Sequence, residues 1–220
     1  MDQRVLNALN HSLEQFAREE NISPTSFFLL LEEVFNSEED FLKKVNRLDN
    51  AFDHNPRFDP LREVYFDLLL INFFTEDVKK LEEDYLDSPE WEKIEDDTLD
   101  RGTELLNVLL YLRECDDEEI EPELDDYLKE FLLVEEDEFQ DEHRIYEDVI
   151  ANQILIESSY EEISRIAHKL DEESELRELF YPMMSFFYEQ KPGKEDIEEF
   201  KRCSQSPSFD AAVYTLLTNY

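Results

Sequence analysis

Four histidines, two cysteines and 59 carboxylates carry most of the chemistry open to this 220-residue chain. The histidines are His11, His54, His143 and His168. A helical di-iron site places glutamate three residues before histidine on each of two helices. Those positions hold Ala8, Ala51, Gln140 and Arg165, so that motif is absent. His143 and Glu147 stand one helical turn apart, a spacing that also suits a solvent-exposed pair. HExxH and the DxDxDG calcium loop do not occur. Cys115 and Cys203 belong to no CxxC motif, and Asp116 and Asp117 beside Cys115 would raise a thiol pKa rather than activate it. There is no GxSxG elbow. With two glycines in the whole chain there is no room for a Walker loop or a GxGxxG turn. The sequence thus assigns no catalytic residue, no metal ligand and no cofactor.

Pairs of carboxylates carry no information where acids are this frequent. General acid–base work needs a carboxylate whose surroundings shift its pKa, and spacing alone does not reveal those surroundings. The runs of acids are more distinctive. Asp116, Asp117, Glu118, Glu119, Glu121, Glu123, Asp125 and Asp126 fall within eleven residues, and Glu135, Glu136, Asp137, Glu138, Asp141 and Glu142 within eight. Residues 101–150 hold 19 acids and 4 bases, net −15, out of −38 for the chain; residues 201–220 hold 1 acid and 2 bases, net +1. On a helix the second run sets one charge per roughly 2 Å of axis. That is comparable to the ~1.7 Å of duplex DNA. Such a field repels nucleic acid and anionic membranes and attracts basic proteins. The candidate partner-binding residues are therefore Asp116, Asp117, Glu118 and Glu119 in the first run, and Glu135, Glu136, Asp137 and Glu138 in the second.

The elements that carry these runs follow from apolar spacing, which is helical almost throughout. Leu6, Leu9, Leu13 and Phe16 mark a first helix. Ser23, Ser37, Thr75 and Ser88 read as caps, and Asp59–Pro60 and Pro122 as helix starts. Leu105, Leu109 and Leu112 are in phase, and so are Leu176, Phe180, Met183 and Phe187 across Pro182, which predicts one kinked helix. Helices around Phe66–Phe74, Leu105–Leu112, Ile150–Ile156 and Leu179–Tyr188 are apolar on more than one face and should be central. No segment demands a strand, and scarce glycine argues against hairpins. The expectation is an all-α fold of about twelve helices packed as antiparallel helical hairpins, either a compact bundle or a short α-solenoid. One domain over 1–220 is favoured, with a weak candidate boundary near 115–122. The aromatic and methionine cluster Phe180–Tyr188 reads as core.

The apolar run Val108–Leu112 is far short of a membrane span. The N-terminal segment lacks the apolar stretch of a signal peptide. With two separated cysteines, these features make cytoplasm the expected address. Three functional readings follow. The first is a non-enzymatic interaction module or scaffold whose acidic surface engages a basic protein. The second, sharper, is a DNA-mimicking inhibitor of a nucleic-acid-binding protein. The third is an enzyme or metal-binding protein with a site assembled from scattered carboxylates and His143 or His168. The nearly neutral C-terminal helix, Ser208–Tyr220, is expected to be either an intramolecular lid or a homodimer contact.

Overall fold

The computed structural model describes residues 1–76, 83–132 and 136–220, and leaves out the side chains of 83 and 130–143. Helix accounts for 75% of the chain, and the described residues contain no strand. Among the described residues thirteen α-helices follow one another: α1 (Gln3–Glu19), α2 (Thr25–Phe35), α3 (Phe41–Asp53), α4 (Arg62–Glu76), α5 (Glu83–Leu86), α6 (Pro89–Thr98), α7 (Leu105–Asp117), α8 (Leu124–Leu132), α9 (Glu136–Ala151), α10 (Tyr160–Ala167), α11 (Arg177–Tyr188), α12 (Lys194–Cys203) and α13 (Pro207–Asn219). Short 3-10 turns cover Pro56–Leu61 and Gln153–Glu157. No helix among the described residues is long and apolar enough to cross a membrane.

Sequential helices do pair, α2 with α3, α7 with α8 and α10 with α11. The most extensive pairing, however, joins the two ends of the chain: α13 lies along α1 and also packs on α11. An open solenoid would keep its first and last helices apart, so the fold is a closed bundle.

Two helices predicted to be central are buried on every side. In α4 the stretch from Val64 to Asn72 is wholly buried, and in α11 the stretch from Leu179 to Phe187. Pro182 sits inside α11, which runs through it as one helix. In α7, Leu105, Val108, Leu109 and Leu112 are buried as expected. The segment Ile150–Ile156 is not central. There α9 ends at Ala151 and the 3-10 turn leaves Ile154 71% exposed. Its place is taken by α13, where Asp210–Tyr214, Leu216 and Leu217 are buried. The polar members of that helix are satisfied internally. Tyr214 donates to the Glu189 carbonyl at 2.6 Å and its hydroxyl lies 2.9 Å from that of Tyr160. Tyr214 also stacks on Phe200, which stacks in turn on Tyr181. Most of the apolar surface of α13 is thus packed within the chain, while Phe209 and Tyr220 remain partly exposed.

Several helix starts differ from the expected ones. Ser88 caps α6 by accepting from the Trp91 amide. Ser37 does not cap α3; Asp40 does, because its carboxylate, one residue before Phe41, accepts from the Lys43 amide at 3.0 Å. Pro24, not Ser23, precedes α2, with no side-chain cap. Thr75 lies within α4 and bonds back to the Asn72 carbonyl. Of the helix that a Thr75 cap would open, through Val78, Leu81 and Tyr85, the first two residues fall outside the described residues and Tyr85 lies in α5. Asp59–Pro60 belongs to the 3-10 turn, and α4 starts after it, at Arg62.

The link between α6 and α7 shows why one of the two glycines is needed. Gly102 has φ +86°, and a Cβ there would stand 2.5 Å from Asp67 Oδ1 and 3.2 Å from the Phe66 ring. Asp67, fully buried, accepts from the Thr103 amide and hydroxyl. Arg101 then bridges Glu63 (2.9 Å) and Asp49 (3.0 Å) over the face of Phe66. This anchors the start of α7, and with it the acidic segment at its other end.

Candidate interaction surface

The first acidic run folds as the tip of the α7–α8 hairpin. Helix α7 ends through two backbone bonds, Glu119 N–H to Asp116 O (3.2 Å) and Ile120 N–H to Cys115 O (2.9 Å). This is the Schellman arrangement, in which the residue at the turn takes a left-handed conformation and is usually glycine. Here it is Glu119, with φ +58°. The same arrangement closes α1 at Asn21, a residue better suited to positive φ. Beyond Ile120 the chain is pinned by Tyr111. Its hydroxyl accepts from the Glu123 amide (2.9 Å) and donates to the Glu123 carbonyl (3.0 Å). Gln190, from the segment after α11, donates to the Pro122 carbonyl at 2.6 Å. A tip carrying so many like charges is therefore held in one shape by neutral hydrogen bonds.

The candidates Asp116, Asp117, Glu118 and Glu119 are all exposed and adjacent on this tip, but they are not equivalent. Asp116 pairs with Arg4 of α1 at 2.9 Å, and Arg4 also lies over the Tyr220 ring. Asp117 is 3.8 Å from Arg113 one turn back. Further along, Glu121 is 3.4 Å from Lys191, and Lys129 serves both Asp125 and Asp126. Glu118, Glu119 and Glu123 make no ion pair among the described residues. In their midst Ile120 is 48% exposed, an apolar side chain on an otherwise acidic knob. The last turn of α7 holds no basic residue, so these acids also face the negative end of the helix dipole. The repulsion among Glu118, Glu119 and Glu123 is not offset by an ion pair of their own among the described residues.

Of the second run, Glu135 lies outside the described residues. Glu136, Asp137 and Glu138 open α9, and their side chains lie outside the described residues, as does that of His143. His168 is exposed at the end of α10, with Nδ1 2.8 Å from the Ser164 carbonyl. Among the described residues no three His, Cys, Asp or Glu side chains are grouped to hold a metal ion. Cys115 is buried and unpaired, and its thiol pKa is pushed up, first by burial and then by Glu114, Asp126 and Glu118. Sequence reasoning counted Glu123 in the first run without singling it out as a candidate, and passed over Ile120, whose one signal was an apolar interruption of the acidic run.

Compared with protein-family models, with curated proteins and with solved structures, the chain matches none.

Proposed function

We propose that this chain is a non-enzymatic interaction module that docks a basic protein partner on the α7–α8 tip. The observation that carries this reading is the exposed trio Glu118, Glu119 and Glu123 around Ile120, unpaired among the described residues on a turn pinned by Tyr111. Unpaired carboxylates supply long-range attraction and fast encounter, while an exposed apolar side chain supplies short-range burial once docked. A left-handed glutamate adds to the reading, because strained non-glycine backbone persists where the surroundings over-determine it. A protein partner suits the tip better than nucleic-acid mimicry does. Mimicry asks for an even row of free charges, whereas Asp116, Asp117, Glu121, Asp125 and Asp126 are paired within the chain. Two unpaired thiols suit a reducing compartment, and we place the protein in the cytoplasm. The reading is tested by binding of an arginine-rich helical peptide to the parent and to a variant with the trio neutralised. Loss of binding on neutralising the trio supports it; unchanged binding at low salt overturns it.

A further inference from the structure

A cavity of 460 Å³ lies away from the acidic tip, between α10, the start of α11 and the turn that leads into α13. Its volume falls in the range that takes small organic ligands. Asp210, from the first turn of α13, is the charged group in its wall that is buried. The Asp210 carboxylate accepts from the Ser204 hydroxyl and makes no ion pair among the described residues. Burial raises its pKa to about 6, with Glu178 adding to the effect. Its charge at neutral pH is thus supported by neutral donors alone. Arg177, the one cation in the wall, turns Nη1 to the Leu170 carbonyl at 3.1 Å.

A second cavity of 260 Å³ shares Arg177, Glu178 and Phe209 with the first and adds Glu172 and Glu175. The joined groove therefore presents four carboxylates against one guanidinium, with the Phe209 and Tyr181 rings along its wall. Negative groups beside apolar rings are the complement of a chain of methylenes punctuated by ammonium groups. A bare metal ion is a poor match, because it needs several ligands converging on one point.

We propose that this groove binds a linear aliphatic polyamine, with one terminal ammonium on Asp210, its methylenes against Phe209 and a second ammonium near Glu178. The ammonium would supply the counter-charge that the buried carboxylate lacks, and it donates where the Ser204 hydroxyl and the Ser206 amide leave acceptor capacity free. The site is separate from the tip, and either proposal can fail alone.

Calorimetric titration with spermidine at 0.15 M salt, where diffuse attraction to the acidic surface is screened, tests it. One saturable site is expected, with butylamine binding at least about tenfold more weakly because a single ammonium reaches only Asp210. Asp210→Asn should weaken spermidine by about tenfold or more and Glu178→Gln by a smaller factor, whereas Glu32→Gln/Glu33→Gln should change it less than about twofold. Circular dichroism checks that each variant is folded. A readout on the parent protein stands independently: titrations near pH 6 in two buffers of different ionisation enthalpy should show net proton release as the ammonium displaces the Asp210 proton. Non-saturable binding, equal affinity for Asp210→Asn, or no proton release would each show counter-ion attraction only and overturn the proposal.

Discussion

The Tyr111 hydroxyl holds both backbone groups of Glu123, accepting from its amide and donating to its carbonyl at 2.9 and 3.0 Å. One side chain from the middle of α7 thereby fixes the return of the chain into α8. The acids between them are displayed on a turn whose shape does not depend on their own interactions. Charge at the tip is then free to be altered without unfolding the hairpin, which makes the surface testable by substitution.

Glu119 adopts φ +58° at the end of α7. The left-handed conformation costs a non-glycine residue about 1–2 kcal/mol. Glu119→Gly should therefore raise stability by about 1 kcal/mol, with part of the gain offset by the greater freedom of glycine in the unfolded chain. It should at the same time weaken docking of a basic partner. Urea denaturation gives the first quantity. A loss of stability would mean that the Glu119 side chain makes contacts that outweigh its backbone strain.

Asp210 has its folded-state pKa raised to about 6, against an ordinary carboxylate value near 4. The folded protein then holds more protons than the unfolded chain between those two values, so stability falls as pH rises through that window and levels off above it. Asp67, raised for the same reason of burial, acts in the same sense. The melting temperature should be higher at pH 5.5 than at 7.5. Asp210→Asn should be more stable than the parent at pH 8 by about 1–2 kcal/mol, an advantage that fades toward pH 4. A parent whose stability rises from pH 5 to 7.5 would contradict this.

Leu109 is fully buried in α7, the helix that carries the tip. Leu109→Ala should cost about 2–5 kcal/mol through lost burial and a cavity. A cost well under 1 kcal/mol would mean that the neighbouring helices collapse into the space, and that α7 is not a fixed support.

Net charge of −38 should make the folded state salt-sensitive. Crowded carboxylates repel more strongly in the compact state than in the unfolded chain. Melting temperature should rise between 20 mM and 0.5 M salt. Ion pairs such as Arg62 with Asp49, Asp53 and Asp59 work against this, since screening weakens them. A fall in melting temperature with salt would show that such pairs outweigh the repulsion.

What the sequence made legible was local. Apolar residues in phase across Pro182 predicted one helix, and α11 is one helix. Ser88 before Pro89 predicted a cap, and it caps. What stayed hidden depended on partners far away in the chain. The Ser208–Tyr220 segment looked like a helix with one apolar stripe, yet it is buried nearly all round because Tyr160, Ser204 and the Glu189 carbonyl meet its polar groups. Ile150–Ile156 looked central by composition, but the change to 3-10 geometry turned Ile154 outward. Within the acidic run the split between paired and unpaired carboxylates was equally invisible: Arg4 reaches Asp116 across 112 positions of sequence. In sequence, Lys129 is the only Lys or Arg within residues 116–142. The fold brings in Arg4 and Lys191 as well.

The most direct test of the docking surface compares two sets of neutralisations that remove equal charge. Glu118→Gln, Glu119→Gln and Glu123→Gln clear the tip, while Glu32→Gln, Glu33→Gln and Glu38→Gln clear acids at α2 and the start of the turn after it. Association of each with an arginine-rich helical peptide is followed by stopped flow from 20 to 300 mM salt. The tip variant should associate several-fold more slowly and with a flatter salt dependence, while the second variant should stay within about twofold of the parent. Equal slowing by the two variants would contradict a localised surface and leave only the general attraction of an acidic protein for basic peptides.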